Sequence, residues 1–279
     1  MVLKTLSLNF NKEIKMKNKI INSLFALLVL GFVSCGEESN MSPYYQAAAE
    51  TNAKVKFEHV AIGPAGTNFN VNWFVNDAKT SGALTTTGLP LGIAYGGQYP
   101  ASINYALVPA GNNTMKVEIP ATATVPAATV ITKPLVVEAG KNYTTFLVGT
   151  SPNYTDFTVN DDLTVTDPTK AYIRFLNFVS NTPTGGYDFS IKELNSNAVV
   201  YSGVGYLTGN KAFIPITVVG DLEATTYEFQ MRAAGTATVI AKVAFTPRKG
   251  RVYTFYSHGY VGGLPATKNT PTLTYYTNK

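Results

Sequence analysis

The chain has 279 residues, of which 22 are Lys or Arg, 17 are Asp or Glu and one is Cys. Five of the lysines and one of the glutamates lie before residue 35, so the 245 residues from Cys35 onward carry 17 basic and 16 acidic side chains. A nearly neutral surface has no large field to attract phosphates, which argues against nucleic-acid binding, and a single cysteine excludes a disulfide within the chain. This length is sufficient for two domains, each with its own core.

The first feature along the chain is a basic segment followed by an apolar run. Lys17 and Lys19 precede apolar residues 20–33, a run too short to serve as a permanent transmembrane helix. The sequence Phe32-Val33-Ser34-Cys35-Gly36 resembles the bacterial lipobox, in which the cysteine is acylated and becomes the first residue of the mature protein. We therefore expect residues 1–34 to be a cleaved signal peptide and Cys35 to carry a lipid that anchors the protein in a membrane.

The segment after the cysteine is polar and rich in alanine, so residues 35–53 are predicted to be a lipidated tether. It includes the acidic pair Glu37 and Glu38, which in some Gram-negative groups resembles a signal for transport to the outer leaflet. We expect an outer-membrane lipoprotein that faces the cell surface. The alternative is that the acidic pair belongs to a solvated tether and carries no sorting signal. Met16 is the better candidate for the start of translation, because residues 1–15 do not resemble an export signal.

The remaining sequence alternates apolar and polar residues in short runs rich in Val, Ile, Thr, Tyr and Phe. Gly, Pro and Asn interrupt these runs about every eight to twelve residues, and no segment has a sustained helical period. This pattern is typical of antiparallel β-sandwiches, in which one face of each strand is buried. We therefore predict an all-β fold.

The all-β part contains an internal repeat. Three segments of the first half match three segments of the second half in the same order: residues 55–59 and 173–177, residues 114–119 and 226–231, and residues 140–144 and 250–254. A polar stretch at 160–168 separates the two copies. We predict two tandem immunoglobulin-like antiparallel β-sandwiches, at residues 54–165 and 170–277, each close to the usual size of such a domain.

The repeated residues resemble a known family. The first strand of each copy places a basic residue between apolar ones, in Val55-Lys56-Phe57 and Ile173-Arg174-Phe175, and both copies contain a Gly-x-x-Tyr-Thr strand. This pattern resembles the family catalogued as domain of unknown function 4397, in which a histidine often closes the first strand and a proline follows, as His59 and Pro64 do here. The resemblance implies tandem immunoglobulin-like domains on bacterial envelope lipoproteins and supplies no activity.

Residues suited to catalysis are few. The only histidines are His59 and His258, neither has a counterpart in the other copy, and no Gly-x-Ser-x-Gly turn is present to hold a nucleophile. We expect His59 to face inward with its strand and to hydrogen-bond to the backbone. Hydrolysis by two carboxylates needs a cleft, which sandwiches without large insertions rarely form. We therefore expect the protein not to be an enzyme.

The aspartates between the two copies are a weak candidate for a metal site. Zinc needs three or four nitrogen or sulfur ligands, which two scattered histidines and an acylated cysteine do not supply. Calcium takes carboxylate oxygens from loops, so Asp161, Asp162 and Asp167 are candidate ligands of an ion that would stiffen the junction. The alternative is that these carboxylates are simply solvated, because no Asp-x-Asp-x-Asp-Gly spacing is present. We expect no cofactor apart from the lipid on Cys35.

Aromatic residues are the main candidates for ligand contact, because planar rings on a β surface can stack against the apolar faces of sugars. The residues predicted to face a ligand are Trp73, Tyr95, Tyr99 and Tyr206. The alternative is that most of these rings belong to cores. Tyr143 and Tyr253 follow a glycine at the start of a strand, and we expect each to be a corner tyrosine bonded to the backbone.

These expectations together describe a non-enzymatic envelope lipoprotein that binds a polysaccharide or a surface protein through sheet faces or end loops. The alternative is a structural component of the envelope that spaces or stabilises partner proteins through the edge strands that a sandwich exposes. An enzyme is a distant third.

Overall fold

The structure is a computed structural model, and it describes residues 50–81, 83–84, 90–101, 103–192, 198–209, 211–218, 227–264 and 269–279. The predicted signal peptide, Cys35 and most of the predicted tether lie outside the described residues. Within the described ranges, no helix is long and apolar enough to cross a membrane.

The described residues form twenty β-strands. The strands of the first repeat are β1 (Asn52–His59), β2 (Asn72–Val75), β3 (Ala78–Lys79), β4 (Ala83–Leu84), β5 (Pro90–Leu91), β6 (Gly97–Tyr99), β7 (Ala106–Pro109), β8 (Gly111–Ile119), β9 (Ala128–Val137), β10 (Asn142–Thr150) and β11 (Asn153–Asn160). Those of the second are β12 (Lys170–Val179), β13 (Tyr187–Lys192), β14 (Ala198–Val204), β15 (Thr208–Gly209), β16 (Ile214–Thr217), β17 (Tyr227–Ala233), β18 (Val239–Phe245), β19 (Val252–Gly259) and β20 (Thr272–Thr277).

The first repeat is a sandwich of two main sheets. One sheet has the order β11-β10-β1, with β6 and β7 both paired to the other edge of β1, and the second has the order β3-β2-β8-β9. β1 pairs in parallel with β10, so that Val55 lies opposite Tyr143 and His59 lies opposite Leu147. In a constant-type immunoglobulin domain the first strand shares a sheet with the second. Here β1 and β2 lie in opposite sheets, so the sandwich is immunoglobulin-like in architecture with a strand order of its own.

The second repeat has the same strand order as the first. β15 and β16 both pair with β12, β12 pairs in parallel with β19, and β20 completes that sheet, while the facing sheet has the order β14-β13-β17-β18. The repeated sequence segments fall on equivalent strands: β1 and β12, β8 and β17, β10 and β19. The predicted fold class, an all-β chain with two β-sandwiches, is therefore confirmed, and each sandwich contains one parallel strand pair among otherwise antiparallel ones.

Each sandwich has an apolar core between its two sheets. Because side chains alternate between the faces of a strand, every second residue points inward, as Met115 and Val117 of β8 do in the first core and Phe229 of β17 does in the second. The largest side chain of the first core is Trp73, which is fully buried and has its ring centroid 5.1 Å from that of Phe57.

Two tyrosines, one in each sandwich, form hydrogen bonds to the backbone as the sequence predicts. The Tyr143 hydroxyl accepts a hydrogen bond from the backbone N–H of Glu138 at 3.2 Å, and the Tyr253 hydroxyl accepts one from the backbone N–H of Arg248 at 3.1 Å. Both hydroxyls thus hold the loop that precedes their own strand. The expectation of two corner tyrosines is confirmed.

The four central strands β1, β10, β12 and β19 are buried on both faces. One face of each strand covers the core of its own sandwich, as expected for a two-sheet structure. The other face is covered by the second sandwich, so the two repeats pack against each other through these strands. This contact positions the sites described next.

Candidate functional site

A third apolar cluster lies where the two sandwiches meet. It consists of Val60, Phe146, Val148 and Val159 from the first sandwich and Leu176, Phe178, Tyr256 and Tyr276 from the second. The ring centroid of Phe146 lies 4.5 Å from that of Phe178 and 5.5 Å from that of Tyr256. The described residues from Glu50 onward accordingly belong to one compact unit. The predicted domain boundaries remain predictions, because this packing does not separate the repeats.

Two equivalent basic residues lie beside the apolar cluster. Lys56 on β1 and Arg174 on β12 occupy the same position of the repeat, and both side chains are fully buried. The Lys56 ammonium lies 5.1 Å from the ring centroid of Tyr105, and the Arg174 guanidinium lies 4.4 Å from that of Phe213. Each cation also donates a hydrogen bond to a carbonyl of the loop that carries its aromatic partner, at 2.9 and 3.4 Å. The basic residue of the repeated apolar-basic-apolar motif therefore binds equivalent loops in the two sandwiches, between β6 and β7 in the first and between β15 and β16 in the second.

Asp161 is the acidic partner of Arg174. Its carboxylate is fully buried, forms an ion pair with the Arg174 guanidinium, and accepts hydrogen bonds from Tyr105 at 2.9 Å and Thr144 at 2.6 Å. Asp161 directly follows the last strand of the first sandwich, whereas Arg174 lies on the first strand of the second. The ion pair therefore ties one sandwich to the other in a region that water does not reach.

The three aspartates predicted as calcium ligands do not converge. Asp162 accepts a hydrogen bond from the backbone N–H of Thr164 at 3.0 Å, and Asp167 accepts one from that of Thr169 at 2.9 Å. Hydrogen bonds from the side-chain hydroxyl groups of Thr164 and Thr169, together with these backbone bonds, lower the pKa of the Asp162 and Asp167 carboxyl groups, while Asp161 forms the ion pair with Arg174. In the part of the chain that the structure describes, no group of three or more His, Cys, Asp or Glu residues is placed to hold a metal ion. Calcium binding thus stays a sequence-based prediction.

Glu58 is a second buried carboxyl group at the contact between the sandwiches. The Tyr256 hydroxyl of the second sandwich donates a hydrogen bond to it at 3.3 Å. Burial raises the pKa of Glu58 well above its ordinary value, and burial also lowers the pKa of Lys56 on the same strand. Because each buried polar group costs free energy unless its own partner is in place, this network specifies one arrangement of the two sandwiches.

Both histidines are buried, and each has one ring nitrogen in a structural hydrogen bond. His59 Nε2 donates to the carbonyl oxygen of Phe69 at 2.9 Å, which confirms the expected backbone bond. His258 Nδ1 lies 2.7 Å from the hydroxyl of Tyr95, a hydrogen bond between the two sandwiches. Burial lowers the pKa of each imidazole to about 4, so both rings are neutral at pH 7.

The four aromatic residues predicted to face a ligand have different surroundings. The prediction for Trp73 is wrong: its strand lies between β3 and β8, and its ring points into the first core. Tyr95 is used in the bond to His258, and Tyr99 packs partly buried against the first core. Tyr206 lies in a groove between the sandwiches.

This groove has a volume of about 560 Å³. Its walls come from the β10–β11 hairpin of the first sandwich and from three loops of the second, and its lining consists of Gly149, Thr150, Ser151, Asn153, Tyr154, Thr155, Ser180, Tyr206, Leu207 and Tyr260. We call it the tyrosine groove, because half-buried rings of Tyr154, Tyr206 and Tyr260 lie among hydroxyl and amide side chains. Its residues can stack on an apolar ring face and hydrogen-bond to hydroxyl groups.

Hydrogen bonds hold the two walls of the tyrosine groove together. Thr150 Oγ1 donates to Ser180 Oγ at 2.9 Å, and the Tyr206 hydroxyl is hydrogen-bonded to the same serine. Gly149 closes the hairpin with φ +106°, where a Cβ atom would clash with the carbonyl oxygen of Asn153. The groove is therefore formed before any ligand binds.

Sequence reasoning missed part of this site. Tyr154 follows the turn at 151–152, and nothing in its local pattern indicates that it meets Tyr206 from the other repeat. The sequence also did not reveal that Arg174 pairs with Asp161. One signal pointed to a buried cation: a basic residue lies between apolar neighbours at the same position of the first strand in both repeats.

Comparisons with known proteins give a family and no activity. Residues 53–185 match the family model described as domain of unknown function (DUF4397), a range that contains the first sandwich and β12. No curated protein matches the chain. A solved structure of a proposed cell adhesion protein from Bacteroides fragilis is similar at 10% sequence identity, and the match covers 81% of this chain and 98% of that chain. Its TM-score of 0.19 carries no argument about fold or function. Over residues 53–185 the chain is thus similar to the DUF4397 family, a domain of unknown function.

Proposed function

We propose that this protein is a non-enzymatic binding module of the bacterial cell envelope that recognises a neutral glycan in the tyrosine groove. One observation carries the proposal: three tyrosine rings from both sandwiches line a preformed groove together with serine, threonine and asparagine side chains. Sugars present apolar ring faces edged by hydroxyl groups, and this lining complements both features.

The size and rigidity of the groove support a ligand of a few sugar residues. Its volume of about 560 Å³ lies within the range of about 300 to 1,000 Å³ that is usual for small-molecule sites. The walls belong to different sandwiches, and the buried contact between the sandwiches holds them in place. A preformed site loses less conformational entropy on binding than a flexible one, which favours affinity.

We expect the substitutions Tyr206→Ala and Tyr260→Ala each to lower the affinity for the preferred neutral oligosaccharide about tenfold or more, because a stacking surface is lost. Affinity gel electrophoresis against xylan, mannan, glucan and galactan oligosaccharides would find the ligand, and calorimetry would give its affinity. Val136→Ala, which truncates an exposed side chain on β9 outside the groove, is the control and should bind as the wild type does. Retention of none of these glycans, or equal affinity of Tyr206→Ala, would contradict the proposal.

Attachment to the outer membrane through Cys35 is part of the same proposal. It is supported by the lipobox-like sequence and by the acidic pair that follows it. We expect Cys35→Ser to release the protein from the membrane fraction, because acylation needs the thiol. Protease treatment of intact cells should remove a tag placed after Lys279. Protection of the tag until lysis would rule out surface display and place the module on the periplasmic side of the outer membrane.

A structural role as an envelope spacer is the second candidate. It is favoured by the extensive contact between the sandwiches, which makes the two repeats one unit. A spacer needs rigidity and edge strands and has no need of the tyrosine groove. If the groove variants keep full function in cells while variants that open the contact between the sandwiches lose it, the spacer role is the better account.

A further inference from the structure

A second groove lies mainly in the second sandwich and is lined in part by its corner tyrosine, Tyr253. It has a volume of about 620 Å³ and shares no residue with the tyrosine groove. Arg248 and Arg251, from the loop between β18 and β19, line it together with the rings of Phe245 and Tyr275. We call it the arginine groove.

The arginine groove is locally basic in a protein that is otherwise nearly neutral. The loop carries Arg248, Lys249 and Arg251 within four residues, and no Asp or Glu is among the residues that line the groove. Both arginines are exposed at its rim. Both arginines line the groove together with Tyr253. The positive charge is therefore concentrated at one site.

The loop that carries the arginines is held by hydrogen bonds that its backbone N–H groups donate. The Arg248 N–H donates to the Tyr253 hydroxyl at 3.1 Å, the Arg251 N–H donates to the Arg248 carbonyl at 3.2 Å, and the Gly250 N–H donates to the Lys170 carbonyl at 2.7 Å. Three hydrogen bonds fix the backbone conformation of the loop, and this fixes where its side chains begin. Less ordering is then required when a ligand binds.

Aromatic and apolar side chains form the other wall of the arginine groove. The ring centroids of Phe245 and Tyr275 lie 4.4 Å apart with an interplanar angle of 51°, and Tyr275 is 37% exposed. Ile103 reaches the groove from the first sandwich and is also exposed. An apolar surface thus lies beside two guanidinium groups.

We propose that the arginine groove binds a carboxylated sugar, such as a uronic acid residue of an acidic polysaccharide. Guanidinium groups bind carboxylates through paired hydrogen bonds, and an aromatic ring can cover the apolar face of the same sugar. An acidic peptide lacks that ring face. An anionic membrane surface is flat, whereas this site is concave and the protein as a whole has little net charge to attract a bilayer.

The test uses the mature lipoprotein purified in detergent and oligogalacturonate as the probe. Its methyl ester is the matched control ligand, because esterification removes the charge and keeps the sugar ring. We expect calorimetry at low salt to detect binding of the acid form, at least tenfold weaker binding of the ester, and weakening of the acid form at high salt. Equal binding of acid and ester, or binding of neither, would overturn the proposal.

Variants separate this site from the tyrosine groove. Arg251→Ala and Tyr275→Ala should each lower the affinity for oligogalacturonate about tenfold or more, while Tyr206→Ala should leave it unchanged. Lys133→Ala, which removes one exposed positive charge from β9 of the first sandwich, controls for net charge and should have little effect. If Lys133→Ala weakens binding of oligogalacturonate as much as Arg251→Ala does, the effect is one of net charge and the proposal is wrong. If polyglutamate or anionic phosphatidylglycerol vesicles bind as tightly as oligogalacturonate, the site does not recognise an acidic sugar.

Discussion

The substitution Arg174→Met is expected to lower the free energy of unfolding by about 3–5 kcal/mol, because it leaves the buried carboxylate of Asp161 without its cation. Asp161 is fully buried and retains hydrogen bonds from Tyr105 and Thr144 in the variant, but neither of these donors carries a charge. Urea-induced unfolding followed by fluorescence measures the change. A loss below about 1 kcal/mol would mean that water reaches the ion pair, contrary to the structure.

The internal repeat supplies the matched control for this experiment. Asn278 occupies in the second repeat the position of Asp161 in the first, and it accepts a hydrogen bond from Thr254 as Asp161 does from Thr144. Asp161→Asn therefore removes the charge and keeps a native type of hydrogen bond. We expect the double variant with Arg174→Met to be more stable than the sum of the two single losses predicts, with a coupling of about 1–3 kcal/mol. Simple additivity would show that the two charges do not interact.

This prediction has a functional consequence. The walls of the tyrosine groove come from different sandwiches, and the ion pair helps to fix the contact between them. Arg174→Met is therefore expected to weaken neutral-glycan binding although Arg174 does not line the groove. The arginine groove is built mainly from the second sandwich, so its binding should change much less.

Acidification from pH 7 to pH 5 is expected to destabilise the fold through both histidines. Burial holds the pKa of His59 and of His258 at about 4 in the folded protein, against about 6.5 in the unfolded chain. Between these values the unfolded state binds protons that the folded state does not, so stability falls as the pH falls through this window. The loss at pH 5 relative to pH 7 is about 2 kcal/mol for each histidine.

Glu58 acts with the opposite sign and must be separated from this effect. Its raised pKa means that the folded state holds a proton more tightly than the unfolded state, so its contribution is present at low pH and is lost as the pH rises through the folded value. Comparison of the wild type with His258→Gln removes the problem, because Glu58 is common to both. Glutamine can still accept the hydrogen bond from Tyr95. We expect the variant to lose less stability between pH 7 and pH 5 than the wild type, and identical losses would show that His258 is not kept neutral.

The local features of the fold were predictable from the sequence. Alternation of apolar and polar residues locates strands such as β8 and β17, because burial of one strand face requires a period of two. The repeat predicts two sandwiches, and a tyrosine after a glycine predicts each corner bond. The inward position of His59 follows from the same alternation. All of these features depend on residues that are close together in the sequence or are copied in the second repeat.

The sequence by itself determined the strands, the two-fold repeat and the predicted lipid-attachment residue of this protein. Only the tertiary structure decided that Trp73 is buried, that Asp161 pairs with Arg174, and that Tyr154 and Tyr206 meet in one groove. The physical reason is that a residue pattern specifies which face of a strand avoids water, but not which surface covers that face. In β1 and β12 both faces are covered, and the second cover is the other sandwich, whose position depends on long-range packing and on buried polar partners from the opposite repeat.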